Sequence, residues 1–328
     1  MKEISKPFIS PNNPLKFNHD KREKFSVMYL LPSYWLAWLL IGFSLILTYT
    51  PRPIRMFFGI LLGNFIFYFN EKRRNIAEKN IKLCFKSLDI HEIQTLSKKY
   101  FISLGKIYFD MPSLWWKSNN SLENICAIEN IHYINDALKK NKGVILLTAH
   151  TVSLDFGGRS ISQFPIVSMY KPFRNKLLNW FIGKSRSKVT DKSIIFPRES
   201  FPFKTLIKSL RKPIIFYYVA DEDLGTSNSV FSNFFDEQKS TLVSISKLAK
   251  LSGATVIPCI NHYSEKDNKY ITYVSQPLRQ FPSNDINLDA RNINNALETL
   301  ISKNLDQYMW SLRLFQSRPD GKNYPYDK

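Results

Sequence analysis

Hydrophobic positions change character along the chain, and the changes divide it. Residues 1–27 are polar and basic, and Pro11, Asn12, Asn13 and Pro14 interrupt any regular element, so this stretch reads as a loose tail. Residues 28–50 then carry no charge, with Tyr34, Trp35 and Trp38 near the start and Tyr49 at the end. A bilayer core takes about 20 apolar residues in a helix, and aromatic side chains favour its two interfaces. The pattern predicts a membrane anchor, with a buried core helix as the alternative. A secretory signal is excluded by the run's distance from the N-terminus and by the missing small-residue cleavage pattern. Residues 56–69 form a second apolar run, broken by Gly59, Gly63 and Asn64, which suits an interfacial or re-entrant helix or one packed on its own domain. Glu71, Lys72, Arg73 and Arg74 follow, where the cations would meet anionic headgroups.

From Arg74 to about Lys140 the spacing of apolar residues is mostly helical. Short apolar runs then recur at 144–148, 166–170, 214–219, 255–260 and 270–274, with helical segments between several of them, such as 241–251 closed by Gly253. Strands alternating with helices predict an α/β fold: a mixed, partly parallel sheet flanked by helices, preceded by an N-terminal membrane-associated helix. The expected organisation is a basic tail (1–27), a membrane anchor and interfacial helix (28–70) and one catalytic domain (71–328).

Composition narrows the partners. Hydrophobic residues make up 44% of the chain, enough for a core, which rules out a disordered binder. A formal net charge of +19 favours polyanions: an anionic membrane, a phosphorylated lipid, an acidic protein or nucleic acid. No nucleic-acid-binding module is present in the sequence, so nucleic acid is not expected. Cys84, Cys126 and Cys259 are scattered, with no CxxC pair, which points to a reducing compartment and buried thiols and away from a structural metal or a disulfide framework.

Ligands of open α/β sheets collect at the carboxyl ends of strands, and three chemically capable groups fall there. His150 closes one apolar run, and Asp155 follows it in a His-x4-Asp arrangement. The two side chains can meet only if His150 lies on a loop and Asp155 in the first turn of the next helix, capped by Thr151 or Ser153. Asp155 would then orient the imidazole of a general base. Asp221, Glu222 and Asp223 close another run. They read either as a solvated turn allowed by Gly225 or as acids holding arginines or substrate hydroxyls. Arg186 and Lys184 are candidates to pair with them or to grip phosphate. Lys171 lies just past a third run.

Taken in order, these pieces resemble the late acyltransferases of lipid A biosynthesis, the family of the lauroyl and myristoyl transferases. Tyr34-Trp-Leu-Ala-Trp38 is similar to the segment with which that family meets the membrane, and residues 73–85 to its signature of paired arginines, an Asn and a Cys-Phe. His150 to Asp155 with Gly157 and Arg159, Tyr170-Lys-Pro172 with Asn175, Arg186, residues 218–225, and Gln307-Tyr-Met-Trp310 with Arg313, Phe315, Arg318 and Pro319 match further blocks. Lys171 stands where the family has Arg, which replaces a bidentate phosphate grip by a point charge. Lys86 and Lys176 replace prolines, and Leu314 and Gln316 replace basic residues.

The resemblance implies transfer of a lauroyl or myristoyl group from acyl-carrier protein to the 3-hydroxyl of a primary acyl chain on a Kdo-bearing, phosphorylated lipid A precursor. It implies His150 and Asp155 as the catalytic pair, with Arg159, Lys171, Arg186, Asp221 and Asp223 on the substrate, and neither metal nor cofactor. It places the enzyme at the bacterial inner membrane with the catalytic domain facing the cytoplasm. Two rival readings stay open: a lysophospholipid acyltransferase, and a non-enzymatic basic membrane-binding protein.

Overall fold

A computed structural model describes residues 24–187, 193–319 and 322–326. Most of the expected basic tail lies outside them. Two short 3-10 turns, Val27–Leu30 and Pro32–Tyr34, lead into helix α1 (Trp35–Tyr49). Pro51 breaks the chain, and α2 follows (Arg52–Phe69). Next come α3 (Glu71–Cys84), α4 (Ile90–Asp110), α5 (Pro112–Trp116), α6 (Asn119–Glu123), β1 (Cys126–Glu129), α7 (His132–Leu138), β2 (Val144–Thr148) and α8 (Leu154–Ile161). β3 (Ile166–Tyr170), α9 (Lys176–Ser187), β4 (Ser193–Pro197), α10 (Phe203–Ser209), β5 (Ile215–Val219) and the hairpin β6 (Ser229–Phe234) and β7 (Glu237–Leu242) follow. The chain finishes with α11 (Ser244–Ser252), β8 (Thr255–Ser264), β9 (Lys269–Val274) and α12 (Ile286–Ile301).

Seven strands form one sheet in the order β1-β9-β8-β2-β5-β3-β4, and only β8 and β9 run antiparallel. The expected mixed α/β sheet is therefore present. The central strands are apolar end to end because helices cover both faces; β2 is buried at every position. One face packs Ile145, Leu147, Val167, Phe216 and Tyr218 into the larger core, and the other packs Leu146, Ile166, Ile215 and Tyr217 with Ile161 and Phe164. Strands β1 and β4 and the β6–β7 hairpin were not among the expected elements. The helix expected over 241–251 starts at Ser244, because Thr241 and Leu242 belong to β7; it ends as expected at Gly253, in the left-handed conformation (φ 71°).

The second apolar run is a helix docked on its own domain and greasy on its outer face. Gly59 and Gly63 of α2 lie backbone to backbone against Gly105 of α4, where a Cβ on Gly105 would fall on the Gly59 carbonyl oxygen. Arg52 and Arg55, in its first turn, are 2.8 and 2.9 Å from the buried Asp110 carboxylate, which also accepts from the Tyr270 hydroxyl at 2.7 Å. Two cations on one carboxylate anchor that end in the fold. The opposite face leaves Phe57, Phe58, Leu61, Phe65 and Phe69 exposed. Between residues 32 and 49 runs one helical stretch long and apolar enough to cross a membrane.

Candidate active site

The sheet reverses its winding at β2. The chain leaves that strand for β3 and β4 on one side, returns through β5 between β2 and β3, and then crosses to β8 on the other side. A crevice opens at the carboxyl ends of strands flanking such a point. β2 and β5 pair in parallel with Thr148 opposite Val219, so the second residues beyond, His150 and Asp221, stand side by side. His150 Nδ1 lies 2.7 Å from Asp221 Oδ1, and the His150 backbone N–H donates to Asp221 Oδ2 at 3.0 Å. The imidazole is 23% exposed at the mouth of a cavity of about 610 Å³, whereas Asp221 is fully buried. A carboxylate at Nδ1 sets the ring to carry its proton there and leaves Nε2 to take one from a substrate.

The charges of the pair support each other. Burial lowers the His150 pKa, but the Asp221 charge and hydrogen bond, aided by Glu222, outweigh it and the net direction is up. Burial would raise Asp221; the charge of His150 and its two hydrogen bonds bring it below the ordinary carboxylate value. A second buried cation, Lys239 on β7, has no exposure, and its charge acts on Asp221 in the same sense.

This geometry corrects three sequence-based expectations. Asp221, not Asp155, orients His150. Asp155 does lie in the first turn of α8, but there it accepts from Arg186 Nη2 at 2.7 Å. Arg186 therefore pairs with Asp155 and not with Asp221. Both members of that pair line the cavity with His150, as do Arg159 and Lys171. Arg159 donates to Asn119 Oδ1 at 2.6 Å. Asp221 and Asp223, expected on the substrate, are instead buried and turned to protein partners. Asp223 accepts from the Ser317 backbone N–H (2.6 Å) and hydroxyl (2.8 Å) and from the Gly225 N–H (3.0 Å). Only Glu222 of the acid run reaches the cavity wall, where Arg198 donates to it at 2.6 Å. Arg198 went unnoticed because it follows β4, the strand missed in sequence; the run Ser193-Ile-Ile-Phe-Pro197 was the available signal.

The C-terminal signature serves the same loop. His150 accepts from the Met309 N–H, Val152 donates to the Gln307 carbonyl, and Thr151 bridges to Tyr308. Residues 307–312 are held in turn by Asn80, whose amide donates to the carbonyls of Trp310 and Leu312. Among the described residues, no three His, Cys, Asp or Glu side chains gather as a metal site would require.

The arrangement — a carboxylate-oriented histidine at the rim of a largely apolar cavity, with cations beside it — fits base-assisted transfer of an apolar group to a hydroxyl. Known proteins agree with that class. The chain is 31% identical to a lipid A biosynthesis acyltransferase of Haemophilus influenzae over 91% of its length and 93% of the relative's. It is 30% identical to the lipid A biosynthesis lauroyltransferase of Escherichia coli (91% and 97%) and 27% identical to the palmitoleoyltransferase of that organism (92% and 98%). The sequence profile of the bacterial lipid A biosynthesis acyltransferases matches residues 22–317, and this chain belongs to that family.

Proposed function

We propose that the protein moves a fatty acyl group from an acyl-carrier-protein thioester to the 3-hydroxyl of a primary acyl chain on a phosphorylated, Kdo-bearing lipid A precursor. The observation that carries this reading is the His150–Asp221 pair, with Nε2 left for a substrate at the cavity rim. An alcohol is a weak nucleophile at neutral pH and needs a positioned base, whereas a thioester is already activated.

In the proposed reaction the acceptor oxygen attacks the thioester carbonyl carbon as His150 Nε2 takes the hydroxyl proton. The tetrahedral intermediate collapses, the carbon–sulfur bond breaks, and the imidazolium returns the proton to the departing thiolate. Asp221 holds the ring and stabilises its charged form throughout. Arg186, fixed by Asp155, supplies a cation for the developing oxyanion. Arg159 and Lys171, on the cavity wall, would take the acceptor phosphates in this reading. The proposed setting is the cytoplasmic face of the inner membrane, where the carrier protein resides, and the positive surface suits both an acidic carrier and anionic lipid.

His150→Ala should lower transfer by about 10²–10⁴-fold without loss of folding or membrane association. The assay offers carrier thioesters with either a lipid A precursor or a lysophospholipid as acceptor. Full activity in the variant would remove His150 from the chemistry, and transfer to the lysophospholipid alone would overturn the acceptor.

A further inference from the structure

The crossovers around β4 give the cavity mouth two different sides. From β3 the chain moves outward to β4 through α9, then returns past β3 to β5 through α10, with all three strands parallel. Such crossovers are right-handed, so the opposite directions of travel put α9 and α10 on opposite faces of the sheet. Packing agrees. Leu206 and Leu210 of α10 join the core with Phe216 and Tyr218, whereas Leu177 of α9 joins Ala37 and Ile41 of the apolar helix α1. Both sides still reach the cavity, one through Ser185 and Arg186 of α9, the other through Phe203 of α10 and Lys247 of α11.

The second side is basic. No Asp or Glu occurs at 200–220 or 238–264. Lys204, Lys208, Arg211, Lys212, Lys247 and Lys250 are all exposed there. α10 and α11 pack together, and the first residue of each, Phe203 and Ser244, lines the cavity. Both helices then run away from it, toward the amino ends of β5 and β8. Lys204 and Lys208 stand four residues apart on one helix face, and Lys247 and Lys250 three apart on the next. The cations therefore form a strip that descends from the rim. Its exposed large apolar side chains are Phe203 and Leu251, unlike the greasy outer faces of α1 and α2, which pack on α5 and α4.

A lipid acceptor has its approach on the side joined to α1, which leaves the α10–α11 rim to a donor arriving from solution. A strip rich in cations and poor in apolar surface suits an acidic soluble protein better than a bilayer, which takes up apolar side chains as well. We infer that the α10–α11 strip is the docking surface of the acyl-carrier protein, with its thioester arm entering the cavity past Phe203 and Lys247. This rests on the acyl-transfer reading above and adds to it the place where the donor's protein binds.

The test uses the full-length enzyme in non-ionic detergent with a lipid A precursor, and offers one acyl group on either carrier protein or pantetheine. Lys204→Glu combined with Lys208→Glu should raise KM for the carrier thioester about tenfold, because two exposed charge pairs turn from attraction to repulsion. The effect should shrink with added salt, while kcat and the rate with the pantetheine thioester stay unchanged. Binding of labelled carrier protein, followed directly, should weaken in parallel. Lys140→Glu combined with Lys142→Glu makes the same charge change before β2, at the amino edge of the sheet, and should leave both readouts as in wild type. Unchanged KM and carrier binding in the α10 variant would overturn the docking surface, as would equal losses in the two variants. So would an α10 variant that loses only its binding to phosphatidylglycerol vesicles, since the strip would then meet the membrane. Wild type that uses the pantetheine thioester and not the carrier's removes the partner but keeps acyl transfer. Wild type that uses neither sinks the acyl-transfer reading itself.

Discussion

Three adjacent acids at positions 221–223 have three different fates. Asp221 holds His150, Glu222 reaches the cavity and meets Arg198, and Asp223 pins Ser317. The chemistry of the run was legible in sequence, but its partners were not, because spacing along the chain ranked Asp155 ahead of a residue 71 positions away. The missing step was strand register. Once β2 and β5 are paired, His150 and Asp221 are matched two residues past Thr148 and Val219. The consequence is a pH prediction with a definite sign. Asp221 raises the His150 pKa, so Asp221→Asn should lower it. Because a general base works deprotonated, the acid limb of kcat/KM should move to lower pH even as the maximal rate falls by about 10²–10⁴-fold. An acid limb that stays in place, with the rate unaffected, would detach Asp221 from the base.

Among the elements, the two signatures at the ends of the catalytic region, 73–85 and 307–319, prove to be one structure. Asn80 in α3 donates to the carbonyls of Trp310 and Leu312 and accepts from the Tyr326 hydroxyl, and Tyr326 in turn accepts from the Phe315 N–H. This latch holds the strand-like segment 307–309 against the loop of His150. Sequence pattern marked both ends of the latch, but a contact across 230 residues leaves no trace in local periodicity. Asn80→Ala would strand buried carbonyls at a cost of about 1–3 kcal/mol. Thermal unfolding should shift down accordingly, and kcat should fall because the histidine loop loses its backing. A variant with the wild-type melting temperature and kcat would show that the latch is incidental. Of the elements missed in sequence, β1 has only 4 residues, β4 ends on Pro197, and β6 and β7 alternate too weakly in Ser, Asn and Gln for a period-two signal.

For the whole molecule, the question is how the anchor and the site are joined. α1 packs Ala37 and Ile41 against Leu177 of α9 and Trp116 of α5, and the Trp116 indole donates to Ser44 Oγ at 2.9 Å. The same two helices wall the cavity through Trp115 and Arg186. The apolar helix is thus fixed to the site, while Leu36, Leu39, Leu40, Phe43 and Ile46 face outward. An exposed apolar surface of that kind marks a membrane or protein contact. The helical stretch from residue 32 to 49 covers 18 residues, about 27 Å at 1.5 Å per residue, close to a hydrocarbon core of about 30 Å. The proposed carrier-protein donor is cytoplasmic, so the proposal requires the catalytic region to face that side, whichever depth α1 takes. Lysines and arginines are nearly balanced around α1, with Lys21, Arg22 and Lys24 before it and Arg52, Arg55, Lys72, Arg73 and Arg74 after it, so charge gives the orientation little help. Labelling can decide it. Cys84 and Cys259 are buried but Cys126 is partly exposed, so a Cys126→Ser background suits a Lys266→Cys variant in the exposed turn between β8 and β9. A membrane-impermeant maleimide should leave that thiol unmodified in intact spheroplasts and modify it after lysis. Modification in intact spheroplasts would place the catalytic region outside the cytoplasm, and the carrier-protein donor would fall with it.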